Sequence, residues 1–142
     1  MIGVSTIIQN RDKEILLVQE RKPAAYGKFN LPGGHLEAGE KITVGAIREA
    51  REEVNLEIEL EYLIGLYHGN SGMNFVFFTT SFRNQAVAQK SEILDCSWFS
   101  VEALRALKDD HILNPHKFLM IMDDLVAGRR YPVEIIREIY NN

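Results

Sequence analysis

The sequence predicts a single domain of the mixed α/β class that spans residues 1–142. Two runs rich in Ile and Val, 2–9 and 14–20, have the composition of core strands, whereas the spacing of apolar residues over 43–54 is typical of an amphipathic helix. No repeat, low-complexity tract or linker divides the chain, and its length suits one domain with a sizeable core. One domain that combines helices and strands is the simplest architecture for these patterns.

Composition and charge argue against several classes of protein. Hydrophobic residues make up 46% of the chain and charged residues 25%, as in an ordinary soluble globular protein. The 16 Lys and Arg residues against 20 Asp and Glu residues give a formal charge of −4, which argues against a large surface for duplex nucleic acid. A small anionic ligand would therefore depend on cations placed locally.

Targeting signals and disulfides are not expected either. The N-terminal segment 1–8 lacks a basic region and has the character of a strand rather than a signal peptide. No apolar run approaches the roughly 18–20 residues that span a bilayer, so no membrane partner is expected. Cys96 is the only cysteine, which rules out an intrachain disulfide and favours a reducing cytoplasm.

The first half of the chain predicts strands, a loop and one helix. The turn at 10–13 between the first two strands predicts a hairpin. Pro23 and Gly27 interrupt regular structure over 21–28, and a short extended segment follows at 29–32 because Pro32 disfavours helix before it. A helix is then expected from Thr43 to about Val54, and Asn55 can end it in the left-handed conformation. Alternating charged and apolar residues predict a strand over 57–62.

The second half predicts two more strands and two helices. Aromatic and β-branched residues over 73–82 predict a central strand after a turn at 69–72, and 94–99 forms a further short strand. Ser100 is expected to cap a short helix over 101–107. Asn114 is expected to cap a longer helix that begins at Pro115, shows an apolar stripe and stops near Gly128; the stripe comprises Phe118, Ile121, Met122 and Leu125. Both a short helix and an extended tail remain open for 133–140.

The most informative stretch is a glycine-rich turn followed by the acid-bearing helix. At about 100° per residue, the spacing of Glu49, Glu52 and Glu53 places their carboxylates on one face. Such a face taken alone is also compatible with simple solvation. The preceding glycines allow a ligand to approach the backbone closely, and carboxylate oxygens suit Mg²⁺ or Mn²⁺ bound together with a phosphate. The combination therefore indicates metal-assisted phosphoryl transfer to water.

This stretch resembles the box of the Nudix, or MutT-like, hydrolase family, Gly-x5-Glu-x7-Arg-Glu-apolar-x-Glu-Glu-x-Gly-apolar. The residues that match in register are Gly34, Glu40, Arg48, Glu49, Ala50, Glu52, Glu53 and Leu56. The one departure is Asn55 in place of the motif glycine. Because both residues accept a left-handed helix end, we expect the geometry to be preserved.

The resemblance implies an αβα sandwich with a mixed β-sheet between helices, and hydrolysis of a diphosphate linked to another moiety with Mg²⁺ or Mn²⁺. By position, the implied metal ligands are the carboxylates of Glu49, Glu52 and Glu53 and the carbonyl of Gly33. Glu40 and Arg48 resemble the pair that braces the loop against the helix. Glu49 and Glu53 are thus candidate catalytic residues.

Two glutamates are candidates for the general base, because family members use either a box glutamate or one from a later loop. The box candidate is Glu49, and the loop candidate is Glu92. A solvated loop acid is an equally good interpretation of Glu92. Either base would contribute on the order of 10²–10⁴ in rate.

The substrate is expected to be a small nucleotide or organic pyrophosphate. Arg21 and Lys28 are candidates for phosphate contacts, Gly34 for a close backbone approach, and Phe29 and Tyr131 for stacking on a substrate ring. A plain surface role for the two cations and a core role for the two aromatics are the alternatives. A monomer or a homodimer is expected.

Three phrases, 34–38 at the start of the box and 95–98 and 128–132 beyond it, are similar to a bacterial Nudix subgroup of phosphatases. That subgroup acts on nucleoside tri- and diphosphates and on a thiamine-precursor pyrophosphate. ADP-ribose, dinucleoside polyphosphates and oxidised nucleotides remain alternative substrates. A non-catalytic ligand sensor is the alternative from another class, although the complete set of box carboxylates argues against it.

Overall fold

Nine strands and three α-helices lie within residues 1–140, which are the residues that this computed structural model describes. Residues 141 and 142, the last two of the predicted domain, lie outside the described residues. The strands are β1 (Ile2–Ile8), β2 (Ile15–Glu20), β3 (Phe29–Asn30), β4 (Gly33–His35), β5 (Glu57–Glu59), β6 (Tyr62–Gly69), β7 (Gly72–Thr79), β8 (Ser81–Arg83) and β9 (Ile93–Phe99). The α-helices are α1 (Ile42–Val54), α2 (Val101–Arg105) and α3 (Pro115–Val126).

The strands form a mixed sheet and two smaller antiparallel sheets. In the four-stranded sheet the order is β4-β1-β7-β6, with β1 and β7 parallel and the other pairs antiparallel. The order in the three-stranded sheet is β3-β2-β9, and β5 pairs with β8. The predicted mixed sheet is thus confirmed, and its edge strand β4 carries the first glycines of the box.

Helices pack on both sides of the strands. This arrangement buries both faces of β1 and β2, which are apolar on each side. Ile7 packs in one cluster with Phe118 of α3, whereas the adjacent Ile8 packs in another with Ala50 and Val54 of α1. All five residues are at most 2% exposed. This helix–strand–helix layering is the mixed α and β fold that the sequence predicts.

The predicted hairpin between the first two strands is wrong. Only Gln9 and Ile15 form a bridge next to the turn, and from there the two strands enter different sheets. Both edges of β1 are occupied by β4 and β7, and both edges of β2 by β3 and β9. The apolar pattern identifies each strand correctly, but it carries no information about the partner of a strand that is buried on both faces.

Two predicted strands are each broken into two, and the breaks lie side by side. The strand predicted over 57–62 ends at Glu59, and the one predicted over 73–82 ends at Thr79. The Thr79 hydroxyl donates to the Glu59 carbonyl, and the Thr80 amide donates to the Glu61 carboxylate at 2.7 Å. Beyond these contacts the chain changes sheet, which continuous alternation in the sequence does not reveal.

Most helix ends agree with the predictions. Asn55 ends α1 with a φ of 64°, and Ser100 accepts a hydrogen bond of 3.1 Å from the Ala103 amide. Asn114 precedes Pro115 as predicted, yet its side chain makes no capping hydrogen bond. Within residues 1–140, no helix combines the length and apolar character needed to cross a membrane.

The segment 133–140, for which a helix and an extended tail were both open, contains a single 3₁₀ turn. That turn spans Val133–Ile135, and no regular structure follows it as far as Tyr140. Val133 and Ile136 pack against the cluster formed by Val4, Ala46, Leu63 and Phe77. The segment is therefore fastened to the core near α1.

Candidate functional site

The first glycines of the box lie in a strand that presses against β1 and α1. Of the predicted glycine-rich turn, residues 33–35 form the edge strand β4, and the turn itself contains Gly39 with a φ of 74°. A Cβ at Gly33 would lie 2.1 Å from the carbonyl oxygen of Val4, and one at Gly34 would lie 2.6 Å from the carboxylate of Glu49. Glycine is required at both positions because β1 lies directly against Gly33 and the Glu49 side chain directly against Gly34, which leaves no room for a Cβ.

Helix α1 is tied to β4 by a backbone contact with an acid. The Gly33 amide donates a hydrogen bond of 2.9 Å to Glu53 Oε1. Ala46 and Ala50 of the same helix are buried in the core. The helix therefore presents Glu53 to β4 while its small residues pack inward.

Arg48 links the loop to the acids of the helix. Its Nε and Nη2 donate to the two carboxylate oxygens of Glu40 at 2.7 and 3.0 Å, which is the contact predicted for the brace. Its Nη1 donates to Glu49 Oε1 at 2.9 Å and to Glu52 Oε2 at 3.0 Å. The hydrogen bond from Arg48 holds the pKa of Glu40 below its ordinary value. One guanidinium thus fixes three carboxylates.

Glu53 has the most perturbed acidity of the site. It is 8% exposed, and burial raises its pKa to about 9. The charges of Glu49, Glu20 and Glu92 add to the rise, while the hydrogen bond from Gly33 opposes it. In the absence of a cation, burial and the negative charges of three neighbouring glutamates therefore oppose the ionisation of Glu53.

The pKa of Glu49 is also raised above its ordinary value. Burial raises its pKa, Arg48 lowers it, and the charges of Glu52 and Glu92 raise it again. A divalent cation would supply the positive charge that this group of hard oxygen ligands lacks. The chemistry of the donor set therefore fits Mg²⁺ or Mn²⁺.

The acids are not yet arranged as a complete coordination shell. Within residues 1–140, no three His, Cys, Asp or Glu side chains are gathered closely enough to hold a metal as they stand. Arg48 lies between Glu49 and Glu52, and the Glu52 side chain is 44% exposed. A cation bound by these acids competes with Arg48 Nη1 for their oxygens. The metal-ligand assignment to Gly33, Glu49, Glu52 and Glu53 stays a prediction.

The structure brings the loop glutamate close to the acids of the helix. The Val87 amide donates to the Val54 carbonyl at 3.0 Å, and the Gln89 amide donates to the Glu53 carbonyl at 2.9 Å. These contacts lay the segment before β9 along the end of α1. Glu92 is exposed there, and its charge acts on both Glu49 and Glu53. Both candidates for the base thus share one site.

Glu20 belongs to this site and was missed in the sequence. It ends β2 with 9% exposure and accepts a hydrogen bond of 3.2 Å from Asn30 Nδ2. Its charge raises the pKa of Glu53. The signal that could have identified it is a lone acid at the end of an otherwise apolar strand, since buried acids are rare without a partner.

Three of the predicted substrate residues lie near Glu20. Arg21 follows it directly and is exposed, and the Lys28 carbonyl accepts from the Glu20 amide at 2.9 Å. Phe29 follows Lys28, but its ring meets Phe99 edge-on with centroids 5.2 Å apart. Backbone contacts therefore hold Arg21 and Lys28 on the loop next to Glu20, whereas Phe29 packs on the core.

Tyr131 lies away from the other predicted site residues. Its backbone pairs with Leu63 on β6, which is the opposite edge of the four-stranded sheet from β4. There it lines a cleft of about 320 Å³ together with Tyr67, Asp124 and Arg129. The width of the sheet separates this cleft from the acids.

A mixed sheet between helices, with a glycine edge strand held against an acid-bearing helix, is the arrangement of the Nudix fold. The sequence model of the NUDIX domain family matches residues 1–120 of this chain. The chain therefore belongs to the Nudix family. Both the predicted family and the predicted fold class are confirmed.

Relatives with similar sequences carry Nudix names. The chain is similar to "Putative nudix hydrolase 1" of Caenorhabditis elegans, with 29% identity over 97% of this chain and 39% of that protein. It is also similar to "8-oxo-dGDP phosphatase NUDT18" of Danio rerio, with 30% identity over 91% of this chain and 39% of that protein. The chain thus spans about two-fifths of the length of these curated relatives.

A solved structure matches along nearly the whole chain. A NUDIX hydrolase from Nitrosomonas europaea superposes with a TM-score of 0.79 and 30% identity, covering 97% of this chain and 96% of that one. Nudix hydrolases generally use divalent metal ions, which agrees with the oxygen-rich site around Glu53.

Proposed function

We propose that this chain is a Mg²⁺-dependent hydrolase of nucleoside di- or triphosphates or related organic pyrophosphates, in which water attacks phosphorus. The observation that carries the proposal is the cluster of Glu49 and Glu53 with Glu20 and Glu92, in which burial and mutual repulsion raise the pKa values of the first two. A bound cation would stabilise the ionised form of these acids, and strongly shifted pKa values of this kind are typical of functional sites. The name of the relative that is an 8-oxo-dGDP phosphatase supports a nucleoside diphosphate as substrate.

The metal-binding group consists of Glu49, Glu52, Glu53 and the Gly33 carbonyl. Bound Mg²⁺ supplies neutralisation of the diphosphate charge and a lowered pKa of the attacking water. The Gly33 amide fixes one oxygen of Glu53, and Arg48 fixes one oxygen each of Glu49 and Glu52. One oxygen of each of these three carboxylates is thereby held by the protein itself.

Proton removal from water falls to Glu49 or Glu92. Both act electrostatically on Glu53 and therefore lie close to the same point. Burial raises the pKa of Glu49, which makes its carboxylate a stronger base than that of an ordinary glutamate, while Glu92 is exposed to solvent. Arg21 and Lys28, on the loop beside Glu20, contact the phosphates.

The experiment is a screen of nucleoside di- and triphosphates, ADP-ribose and a dinucleoside polyphosphate, each with and without Mg²⁺. Wild-type chain is expected to release phosphate or a nucleotide only with the metal, and ¹⁸O from labelled water is expected in a phosphate group of a product. Glu53→Gln is expected to lower turnover at least about 10²-fold.

Glu59→Gln is the matched control, because Glu59 is an exposed acid on β5. Its turnover is expected to equal that of the wild type. Wild-type turnover in Glu53→Gln would contradict the assignment of Glu53. A chain that binds one of these compounds but hydrolyses none of them would be a ligand sensor instead.

A further inference from the structure

The first turn of α1 is capped by an acid from the far end of the chain. Lys41 precedes the helix and supplies no side-chain cap, although the first four amides of any helix lack partners within it. Glu138 Oε2 accepts from the Ile42 amide at 2.5 Å, and Oε1 accepts from the Thr43 amide at 3.4 Å. The contact joins residues 96 positions apart and places a carboxylate at the positive end of the helix dipole.

A second contact from the same segment reaches Glu40, two residues before the helix. The Tyr140 hydroxyl donates to the Glu40 carbonyl at 3.2 Å. The side chain of Glu40 accepts two hydrogen bonds from Arg48, and Arg48 in turn donates to Glu49. A continuous series of polar contacts thus runs from Tyr140 to an acid of the site.

The segment that carries these two residues is itself anchored. Val133 and Ile136 pack beside Ala46, a buried residue of α1, in the cluster around Leu63 and Phe77. Glu138 is half-buried, whereas Ile139 between the two polar contacts is 90% exposed. The side chains at 138 and 140 therefore face α1, and the one between them faces solvent.

We propose that Glu138 and Tyr140 are positioning residues for the acids of α1. Together they hold the junction Glu40–Thr43, and through the Glu40–Arg48 contact they fix the place of Glu49. Neither residue touches the reacting groups. This inference rests on the proposed function, because it assigns a supporting role within the same site.

The test uses Glu138→Ala, Glu138→Gln and Tyr140→Phe, with Ile139→Ala as the matched control. Hydrogen exchange of the Ile42 and Thr43 amides is expected to accelerate about tenfold in Glu138→Ala, as for the loss of a helix cap. Glu138→Gln is expected to restore most of the protection, since its amide oxygen still accepts. Ile139→Ala is expected to match the wild type.

Positioning is measured separately from capping. Exchange of the Arg48 Nε–H, which reports its pairing with Glu40, is expected to accelerate in Glu138→Ala and in Tyr140→Phe. The affinity for Mn²⁺, measured by electron paramagnetic resonance, is expected to fall roughly threefold in the same variants. A threefold change corresponds to only part of the free energy of a helix cap. Half-saturation by Mg²⁺ should rise by the same factor while the substrate KM stays constant.

The outcomes separate this inference from the proposed function. Faster exchange at Ile42 with unchanged Arg48 exchange would show a local cap only and would overturn the positioning role. Unchanged exchange at both places would overturn the contact itself. If the wild type hydrolyses nothing, the proposed function fails, and Arg48 exchange still decides the inference. Tyr140→Phe decides it if Glu138→Ala does not fold.

Discussion

The Gly33 amide and the Glu53 carboxylate are joined by a 2.9 Å hydrogen bond that spans 20 positions of the chain. This bond connects the edge strand β4 to helix α1, and it holds a buried acid whose pKa is raised to about 9. Strand and helix are therefore joined at an acid whose ionisation is opposed by the neighbouring glutamates.

The two glycines of β4 are expected to respond differently to a Cβ. Gly33→Ala meets the Val4 backbone at 2.1 Å and is expected to lose about 1–3 kcal/mol of unfolding free energy, because the strands must separate. Gly34→Ala meets the movable carboxylate of Glu49 instead, so its stability is expected to stay near that of the wild type while metal-dependent turnover falls.

Urea unfolding and turnover assays measure both effects, and Gly69→Ala is the control because a Cβ there meets nothing within 4 Å. Equal stability of the Gly33→Ala and Gly69→Ala variants would contradict the close contact. Full turnover in Gly34→Ala would show that displacing Glu49 has no consequence.

Arg48→Lys is expected to destabilise the fold more than Arg51→Lys. Arg48 is 16% exposed and makes paired hydrogen bonds that a lysine cannot reproduce, so a loss of about 1–3 kcal/mol is expected. Arg51 is 54% exposed in its pair with Glu57, where a loss below about 1 kcal/mol is expected. Urea unfolding of both variants at one ionic strength gives the comparison, and equal losses would argue against the bracing role of Arg48.

Metal-free stability is expected to fall as pH rises from about 4.5 to about 9. The pKa of Glu53 is 4.5 in its ordinary state and is raised to about 9 in the fold, so the folded chain holds a proton that the unfolded chain releases. The stabilisation by this proton is complete below the lower pKa and is lost as pH rises through the higher one.

Glu53→Gln removes this titration, so its unfolding free energy in EDTA is expected to vary less with pH and to exceed that of the wild type near pH 8. Mg²⁺ is expected to stabilise the wild type more at pH 8 than at pH 5, because metal binding requires the deprotonated acid. Identical pH profiles for both chains in EDTA would contradict the raised pKa.

Substrate affinity is expected to depend on the loop cations and not on Tyr131. Arg21→Ala and Lys28→Ala should each raise the KM about tenfold, the typical effect of losing a charged hydrogen bond. Tyr131→Ala should leave the KM close to the wild-type value, because its backbone pairs with β6 at the far edge of the sheet. A large rise of the KM in Tyr131→Ala alone would show that the substrate reaches that edge.

The parts of the fold that were predictable are those that local spacing determines. Helix periodicity places Glu49 and Glu53 together, and the left-handed tolerance of asparagine identifies Asn55 as the helix end. Strand pairing was not predictable, because β1 and β2 are apolar on both faces and fit several partners equally well. The breaks after Glu59 and Thr79 also depend on contacts across the fold.

The same distinction holds within the candidate site. The box residues follow from a contiguous pattern, and the Glu40–Arg48 contact lies within it. Glu20 comes to the site from the end of β2, and Glu138 contacts Ile42, which lies 96 positions earlier in the chain. No local sequence pattern indicates either contact. The location of Tyr131 has no local signal either, since it depends on which edge of the sheet β6 occupies.

The proposed function depends on the binding of a divalent cation by Glu49 and Glu53. The most direct measurement is a Mn²⁺ titration followed by electron paramagnetic resonance for the wild type, Glu49→Gln, Glu53→Gln and the control Glu59→Gln. We expect Glu49→Gln and Glu53→Gln to bind at least about tenfold more weakly, since each removes a charged oxygen ligand, and Glu59→Gln to bind as the wild type does. Wild-type affinity in both site variants would contradict metal binding by Glu49 and Glu53.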